Sequence, residues 1–486
     1  MNDATMTPGQ RLLQTTAWSD VRGVAFAVLG LGRSGIAAAN VLARRGADVQ
    51  AYDDRNESQL EAAVAKLDKR VRWRAGGGYI ARPAEICVLS PGIAPHTALY
   101  RRADATAGAL IGEVELFFRL DRADDGGHRL IAISGTDGKT TTAMMIAHLL
   151  QTNGDDVCLA GNIGTPLCEV LDELEATTWV VAEVSAFQLA TCVRFRPDIA
   201  VLTNVAGDHD DWFSGDRDAY AAAKRAVARC CGTGDRVIFN ADDRAFSMID
   251  EQSPAARHIG FSVRASREDG FFYRDSTLRF ATGGRVIDLL ASAQLGADTG
   301  NPLPGLHNVA NALAASAAAF SSGLSFAAIE AGLRSFVPAP HRLQAVGTIA
   351  DVRFIDDSKA TNPHAAIAGL RATVCGHEDK LVWIAGGSEK DADFSELAAE
   401  VGERVHAAVL IGASRERLAA ALPSTVSTCL RDSMHDAVAE AWSLAGPKGV
   451  VLLSPACASF GLFRSYAHRG DVFIEAVQQL RAAVEK

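Results

Sequence analysis

A glycine-containing loop between an apolar segment and a run of threonines is the feature that most constrains this chain. From Ile131 to Thr142 the sequence reads Ile-Ala-Ile-Ser-Gly-Thr-Asp-Gly-Lys-Thr-Thr-Thr. The pattern predicts a strand, a loop whose backbone N–H groups bind phosphate oxygens, and a helix whose dipole is positive at that end. Lys139 can neutralise phosphate charge, and the hydroxyl of Thr140 can reach Mg²⁺. We therefore predict a nucleoside triphosphate site, in a variant loop that has Ile133 where the general pattern has glycine.

The size and composition of the chain indicate a large protein of several domains. It has 486 residues, of which 48% are hydrophobic and 22% charged, as in ordinary globular proteins. This length suggests roughly three domains. The formal net charge of −10 argues against nucleic acid or an anionic membrane as the main partner. We expect small-molecule substrates, no nucleic acid, and a monomer.

The sequence also predicts a compartment. The N-terminus lacks a basic segment followed by an apolar one, so it does not read as a secretory signal. No apolar stretch approaches the roughly eighteen residues that a membrane-spanning helix needs. The nine cysteines are scattered without a Cys-x-x-Cys pair, which favours a reducing environment over a disulfide framework or a zinc site. We expect a cytoplasmic protein without membrane insertion.

Three transitions from strand to helix divide the chain. The first contains Gly30-x-Gly32-x-x-Gly35, with Asp53 and Asp54 at the end of the next strand, which favours binding of a nucleotide diphosphate. The phosphate loop is the second transition, and a third α/β segment begins after a proline-containing boundary near residue 338. We predict an α/β protein with an N-terminal Rossmann-like domain (1–119), a central P-loop ATPase-type parallel sheet (120–338) and a C-terminal Rossmann-like α/β domain (339–486).

Acidic and imidazole groups stand at the ends of predicted central strands. Glu183 follows one apolar strand, and Asp208 and His209 follow the next. Parallel sheets bind ligands at the carboxyl ends of their strands, so these groups could hold a divalent metal beside Thr140. A lone histidine is usually structural, but the neighbouring phosphate loop favours a metal-binding role. Lys224, in Tyr-Ala-Ala-Ala-Lys on a helix, would by itself be an ordinary surface lysine.

Small polar residues follow three predicted strands of the C-terminal domain. Lys359 lies in Asp-Asp-Ser-Lys-Ala-Thr-Asn, and Lys390 ends Gly-Gly-Ser-Glu-Lys. A third segment, Ser-Pro-Ala-Cys-Ala-Ser-Phe, ends at Phe460. Their shared position at strand ends predicts a binding cleft facing the ATP site, and the two lysines suit an anionic acceptor.

Together these motifs resemble those of the Mur ligase family, the ATP-dependent amino-acid ligases that build the peptide stem of the bacterial cell wall. The resemblance covers nearly the whole chain and is strongest to the branch that adds D-glutamate. The residues that carry it are Gly135–Thr140, Asn162–Gly164, Glu183–Gln188, Asp208-His209, Tyr220 with Lys224, His307-Asn308 with Asn311, His341-Arg342, Asp357–Asn362, Gly386–Lys390 and Ser454–Ser459.

The resemblance implies a reaction and its cofactors. ATP would phosphorylate the carboxylate of UDP-N-acetylmuramoyl-L-alanine, and the amine of glutamate would attack the acyl phosphate, releasing phosphate after ADP. The resemblance further implies two Mg²⁺ ions and a carbamylated Lys224 that serves as a metal ligand. Such an enzyme would act in peptidoglycan synthesis and cell wall biogenesis, and so in cell shape, cell division and the cell cycle.

The resemblance also implies which residues bind each ligand. The catalytic residues would be Lys139, His209 and Lys224, and the metal ligands Thr140, Glu183, His209 and Lys224. ATP would contact Gly135, Thr136, Asp137, Gly138, Lys139, Thr140, Thr141, Asn311, Arg342 and Asp357. The UDP-substrate would contact Ser34, Asp53, Asp54, Arg55, Gly92 and Asn162, and glutamate would contact Lys359, Thr361, Lys390, Ser459, Phe460 and Tyr466.

Three short segments depart from the family pattern, and they leave the stereochemistry of glutamate open. They are Gly461 where Asp is usual, Ser185-Ala186 in place of a Ser-Ser pair, and Asp210-Asp211-Trp212 after His209. An L-glutamate-adding relative is therefore an alternative.

Three more distant classes of protein explain less of the sequence. Folylpolyglutamate synthase also joins glutamate to a carboxylate, but it gives no reason for the N-terminal Gly-x-Gly-x-x-Gly domain. A nucleotide-dependent switch ATPase does not explain the two lysine-containing loops. A nicotinamide dehydrogenase does not explain the phosphate loop.

Overall fold

The chain forms three β-sheets flanked by helices. The computed structural model describes residues 8–76, 79, 85–123, 127–206, 212–213, 215–299, 303–373, 379–388 and 392–485. Backbone contacts divide the chain into two compact units, Met1–Leu289 with Ala310–Gly332 and Leu290–Val309 with Leu333–Lys486. The predicted boundaries after residues 119 and 338 separate the three sheets, whereas the compact units place the first two sheets together, apart from the last two residues of the second.

Five parallel strands form the first sheet. Its elements and the preceding helix are α1 (Pro8–Gln14), β1 (Ala25–Leu29), α2 (Arg33–Arg44), β2 (Asp48–Asp53), α3 (Glu57–Val64), β3 (Arg72–Ala75), β4 (Ile86–Leu89), α4 (Ala98–Thr106), β5 (Ala109–Gly112) and α5 (Glu113–Asp121). The spatial order is β3-β2-β1-β4-β5. β1 is apolar throughout because a parallel sheet is covered on both faces. The predicted βαβ unit is present and brings the glycine-rich turn to the carboxyl end of β1.

The second sheet has nine strands in the described part of the chain. The elements are β6 (Arg129–Ser134), α6 (Lys139–Thr152), β7 (Val157–Gly161), α7 (Leu167–Val170), β8 (Trp179–Glu183), α8 (Ala186–Leu189), β9 (Ile199–Leu202), α9 (Arg217–Arg225), β10 (Arg236–Asn240), α10 (Ile249–Gln252), β11 (Arg257–Ser262), β12 (Gly270–Arg274), β13 (Thr277–Thr282), β14 (Arg285–Ala291), α11 (Leu306–Ser321) and α12 (Phe326–Ser335). The order is β14-β13-β12-β11-β10-β9-β6-β8-β7. β6, β8 and β9 are neighbours, so their carboxyl ends lie together.

An antiparallel extension of the second sheet was not predicted. β12 and β13 pair in antiparallel fashion across the two-residue turn Asp275-Ser276, and both turn residues have positive φ. Gly283 and Gly284, which also have positive φ, connect β13 to β14. Two-residue turns of this kind match the twist of a hairpin. The Gly-Gly pair was a signal in the sequence for this hairpin.

The third sheet has six strands in the described part of the chain. The elements are β15 (Gln344–Ile349), β16 (Val352–Asp356), α13 (Pro363–Ala372), β17 (Leu381–Gly387), α14 (Ser395–Arg404), β18 (Ala407–Gly412), α15 (Arg415–Ala421), β19 (Ser427–Leu430), α16 (Met434–Ala445), β20 (Val450–Leu453) and α17 (Tyr466–Val484). The order is β15-β16-β20-β17-β18-β19, and all but β15 run parallel. The loops after β16, β20 and β17 therefore emerge at one edge, where the polar segments were predicted to meet.

A buried helix joins the first sheet to the second. Every residue of α5 is buried, including Glu113 and Glu115. The carboxylate of Glu115 accepts hydrogen bonds from the backbone N–H groups of Val193, Arg194 and Phe195, at 2.9–3.0 Å. Buried carboxylates need such partners, and these hold the two sheets together.

None of the helices in the described ranges has the length and apolar character needed to cross a membrane.

Candidate active site

The phosphate loop lies between β6 and α6, and an asparagine after β9 holds its shape. Gly135 and Gly138 have φ values of 153° and 78°, which favour glycine. The N–H of Thr136 donates to the backbone oxygen of Asn204 at 2.8 Å. The N–H of Asp137 donates to the side-chain oxygen of Asn204 at 2.9 Å. Asn204 was not predicted as a site residue, although its position two residues after β9 was a signal for it.

Asn311, on α11, lies directly against the phosphate loop. A Cβ atom on Gly138 would lie 2.2 Å from its side-chain oxygen, so this close approach requires glycine. The hydroxyl of Thr142 donates to the same oxygen at 3.3 Å. Lys139, the first residue of α6, donates from Nζ to the carbonyl oxygen of Thr136 at 2.7 Å. The structure therefore brings together these predicted ATP-binding residues.

Glu183 connects the phosphate loop to the segment after β7. Its carboxylate is 2% exposed, at the carboxyl end of β8. One oxygen accepts from the hydroxyl of Thr140 at 2.7 Å, and the other accepts from the amide of Asn162 at 2.8 Å. A carboxylate beside a hydroxyl is a hard oxygen donor set that suits Mg²⁺.

The structure describes only some of the residues that were predicted to bind metal. Asp208 and His209 lie outside the described residues. Across the described ranges, no group of three or more His, Cys, Asp and Glu side chains is arranged to hold a metal ion. Thr140, Glu183 and Lys224 are therefore the predicted metal ligands whose positions the structure describes.

Lys224 is buried behind the phosphate loop, and its interpretation as an ordinary surface lysine is wrong. The side chain is 2% exposed, and Nζ donates to the carbonyl oxygen of Gly135 at 2.6 Å. Nζ also lies 4.2 Å from the ring centroid of Tyr220. The hydroxyl of Tyr220 lies 3.3 Å from that of Thr136, so lysine and tyrosine both contact the loop. The burial of Lys224 therefore depends on tertiary contacts, which the Tyr-Ala-Ala-Ala-Lys motif alone does not predict.

In the first sheet, Asp53 holds the glycine-rich turn. Its carboxylate accepts from the N–H of Leu31 at 2.7 Å and from two nitrogens of Arg55 at 2.8 and 2.9 Å. Burial raises the pKa of Asp53, but the hydrogen bonds from Arg55 and Leu31 outweigh it and lower the pKa to about 2. Asp53 is therefore ionised and already engaged with the turn, whereas Asp54 is exposed.

The predicted UDP-substrate residues lie on neighbouring segments. Ser34 is in the first turn of α2, and Gly92 is exposed in the turn after β4. Arg33, beside Ser34, donates to the carbonyl oxygen of Gly164 at 2.7 Å. Gly164 is two residues from Asn162, so the turn of the first sheet contacts the segment that reaches Glu183.

In the third sheet, Asp357 lies in a closed environment after β16. Burial raises its pKa to about 7, and the hydroxyl of Ser454 and the charge of Arg342 act in the opposite direction. Ser454 donates to its carboxylate at 2.8 Å. A Cβ atom on Gly369 would lie 2.4 Å from the same carboxylate. Asp357 and Arg342, two predicted ATP-binding residues, are thus close enough to interact.

The predicted glutamate-binding residues occupy the loops at the same edge. Nζ of Lys359 lies 3.7 Å from the ring centroid of Tyr466. Ser459 is buried, Thr361 is half-buried and Phe460 is 64% exposed. Lys390 lies outside the described residues.

Arg469, which was not predicted, ties these loops together. Its guanidinium donates to the hydroxyl and the carbonyl oxygen of Ser358 at 3.0 and 2.8 Å, and to the carbonyl oxygen of Cys457 at 2.9 Å. The side chain is wholly buried, and burial lowers its pKa to about 10. An arginine on a helix is ordinarily exposed, so the sequence held no signal for this role.

Comparisons with known proteins agree with this arrangement. The chain matches family models described as the Mur ligase MurD-like N-terminal domain (residues 25–112), the Mur ligase middle domain (133–319) and the Mur ligase glutamate ligase domain (341–457).

Similar proteins cover nearly the same length. A protein named UDP-N-acetylmuramoylalanine–D-glutamate ligase from Frankia casuarinae is 38% identical over 473 residues, 96% of each chain. A protein of the same name from Desulfosudis oleivorans is 34% identical over 458 residues, which cover 93% of this chain and 96% of that protein. The crystal structure of UDP-N-acetylmuramate-alanine ligase from Thermotoga maritima shares the fold, with a TM-score of 0.56 and 20% identity, over 94% of this chain and 99% of that one. The chain therefore belongs to the Mur ligase family, the family that its motifs resemble.

Proposed function

We propose that this protein is an ATP-dependent ligase that adds D-glutamate to UDP-N-acetylmuramoyl-L-alanine in peptidoglycan precursor synthesis. The observation that carries the proposal is the full-length similarity to relatives that bear the name of this enzyme. The cluster of Lys139, Thr140, Glu183 and Lys224 around the phosphate loop supports it, because these groups suit the activation of a carboxylate by ATP.

The chemistry follows from the weakness of a carboxylate as an electrophile. One carboxylate oxygen of UDP-N-acetylmuramoyl-L-alanine attacks the γ-phosphorus of ATP, and the bond from that phosphorus to the ADP oxygen breaks. The amine of glutamate then attacks the acyl carbon, phosphate leaves, and the amine loses a proton. Lys139 and the loop N–H groups offset the negative charge that gathers during the first transfer.

We propose that Thr140 and Glu183 hold one Mg²⁺ ion and that His209 and a carbamylated Lys224 hold a second. The ions would neutralise phosphate and carboxylate charge. Glu183 fits because its buried carboxylate has hard oxygen donors and a hydroxyl neighbour. Carbamylation would replace the cationic end of Lys224 with a carboxylate while keeping an N–H that can donate to Gly135.

The remaining residues that we propose to bind ligands belong to different sheets, according to the ligand. In the first sheet we propose that Ser34, Asp53, Asp54, Arg55 and Gly92 form the uridine diphosphate site, with Asp53 acting mainly by holding the turn. Asn162 would contact the muramoyl-alanine portion. In the third sheet Arg342 and Asp357 would contact ATP. Lys359, Thr361, Lys390, Ser459, Phe460 and Tyr466 would contact glutamate.

We place the reaction in the cytoplasm and assign it to a monomer that serves cell wall biogenesis and, through it, cell shape and division. The cysteines support a reducing compartment, because all eight within the described residues are free thiols.

The decisive experiment measures phosphate release from ATP by the full chain, with each substrate supplied or withheld. We expect release to require both UDP-N-acetylmuramoyl-L-alanine and D-glutamate. Replacing D-glutamate with L-glutamate tests the stereochemical alternative, and replacing the UDP-substrate with a folate tests the folylpolyglutamate synthase alternative. An absence of release with the proposed pair would refute the proposal.

A further inference from the structure

Arg342, which lies just before the first strand of the third sheet, is flanked by two residues with an unusual backbone conformation. The residues on either side of it, His341 and Leu343, have φ values of 63° and 46°, in the left-handed region that non-glycine residues rarely adopt. Such a conformation persists only where the surroundings enforce it. Contacts from the third sheet and its loops must therefore hold the segment that carries Arg342.

One such contact comes from Asp356, the last residue of β16, which is 0% exposed. One of its carboxylate oxygens lies 2.7 Å from Nδ1 of His341. The other accepts the backbone N–H of Ser358 at 2.9 Å. Ser358 directly precedes Lys359, so one buried carboxylate holds both the segment of Arg342 and the loop of Lys359.

Two further contacts involve the ring and the backbone of His341. A Cβ atom on residue 470 would lie 2.1 Å from Nδ1, so Gly470 is required for the ring to lie there. The backbone oxygen of His341 accepts the N–H of Lys359 at 3.1 Å. The segment of Arg342 and the loop of Lys359 are therefore joined through backbone as well as side chains.

The charges around the imidazole favour its protonated form. Asp356 faces Nδ1, and Asp471 on α17 lies 3.6 Å from Nε2. The hydrogen bond from Asp356 raises the pKa of His341 above its usual range, although burial opposes this. The buried guanidinium of Arg469 and the carboxyl of Asp357 also interact electrostatically with Asp356. A protonated His341 would balance the charge of a carboxylate that the sheet holds away from water.

We propose that the His341–Asp356 pair is a positioning pair that sets Arg342 and Lys359 together and works with the imidazole protonated. The proposal rests on the proposed function, which gives Arg342 a role toward ATP and Lys359 a role toward glutamate. Asp356 lies in a segment with predicted site residues but had no role of its own. Because the carboxylate of Asp356 contacts both segments, a change in it should alter the contacts with ATP and with glutamate together.

The test is Asp356→Asn, which keeps the size of the side chain and removes its charge. We expect the KM values for ATP and for D-glutamate to rise together, each by roughly five- to tenfold, as for the loss of one charge-assisted hydrogen bond. We also expect the alkaline limb of the kcat/KM profile to move to lower pH, because the imidazole loses the charge that favours its proton.

The matched control is Asp471→Asn, whose side chain is 70% exposed and therefore screened by water. It should change both KM values less than about twofold. If Asp356→Asn does not fold, His341→Asn serves instead, because asparagine tolerates the left-handed conformation and can donate to Asp356. That variant should lose the alkaline limb and raise the KM values less steeply than loss of the carboxylate.

NMR titration of the histidines gives a measurement that does not depend on activity. The pKa of His341 should be lower in Asp356→Asn than in the wild type. A wild-type enzyme that is active while Asp356→Asn leaves both KM values and the pH profile unchanged would overturn the positioning role. A wild-type enzyme with no glutamate-dependent turnover would overturn the proposed function instead. A lower melting temperature with unchanged kinetics would show that the pair is merely structural, and would also overturn the proposal.

Discussion

The Nζ atom of Lys224 donates a 2.6 Å hydrogen bond to the carbonyl oxygen of Gly135, the first glycine of the phosphate loop. A buried ammonium is costly unless it is paired with strong acceptors, and here its partners include a carbonyl oxygen and the face of Tyr220. Carbamylation at this position would convert a positive charge into a negative one, directly behind the loop that is proposed to bind ATP.

Lys224→Ala should reduce kcat by at least about a hundredfold, because it removes the proposed metal ligand and a support of the loop. If the carbamate is the active form, added short carboxylates such as formate or acetate should restore part of the activity. Phosphate release with increasing carboxylate measures this. The control is Lys69→Ala, which removes an exposed lysine and should have no effect. Unaltered activity in Lys224→Ala would reject the carbamate role.

Lys139→Ala should lower turnover by about a thousandfold, because no other predicted cation in the loop can neutralise the transferred phosphoryl group. Binding of UDP-N-acetylmuramoyl-L-alanine, measured by calorimetry, should stay within about threefold of wild type, since its uridine end is assigned to the first sheet. If that binding also vanished in a folded variant, the division of ligands between the two sheets would be wrong.

Two glycines of the first turn should separate folding from binding. A Cβ atom on Gly35 would lie 1.8 Å from the carbonyl oxygen of Gly30, whereas a Cβ on Gly32 would have no atom of the surrounding described residues within 4 Å. Gly35→Ala should therefore lower the free energy of unfolding by about 1–3 kcal/mol. Gly32→Ala should keep the wild-type melting temperature and weaken the UDP-substrate, because the added methyl group obstructs the approach of a diphosphate to the backbone. Equal melting temperatures for the two variants would contradict this account.

Glu113 should make stability depend on pH. Burial raises its pKa to about 7, although the N–H of Cys168 donates to the carboxylate. A carboxyl whose folded pKa exceeds its unfolded pKa stabilises the fold at low pH, and this contribution is lost as the pH rises through about 7.

Glu113→Gln stays neutral, so its stability relative to wild type should improve between about pH 5 and pH 9, by on the order of 3 kcal/mol. Denaturant unfolding at both pH values measures this difference. The exposed Glu175→Gln is the control and should show no such trend. A difference from wild type that is the same at both pH values would argue against a neutral Glu113 in the fold.

Position at a strand end guided the prediction for some residues, although Asn204 and Asp356, which also lie at strand ends, were not predicted as site residues. Thr140 and Glu183 were predicted to share a metal site because parallel sheets bind ligands at the carboxyl ends of their strands, and their side-chain oxygens are 2.7 Å apart. Lys224 could be assigned only through resemblance, since burial of a helical lysine depends on what packs against the helix.

Arg469 and Asp356 show why the rest escaped prediction. Each is a charged residue whose role depends on partners distant in the sequence, as in the contact between Arg469 and Ser358. Charged residues are ordinarily expected to be exposed on helices and strands alike, and no spacing rule reveals such a contact. His209 and Lys390 lie outside the described residues and stay predictions.

The contact between Arg33 and Gly164, together with the buried helix α5, has a consequence for the choice of substrate. The proposed sites for the uridine end and for the reacting carboxylate belong to a single compact unit, so we expect the distance between them to change little when substrate binds. The unit would then select substrates by the distance between their uridine end and their reacting carboxylate. We expect UDP-N-acetylmuramic acid without its alanine, or with one residue too many, to bind by its uridine end and yet fail to trigger phosphate release, because its carboxylate would stop short of ATP or pass beyond it.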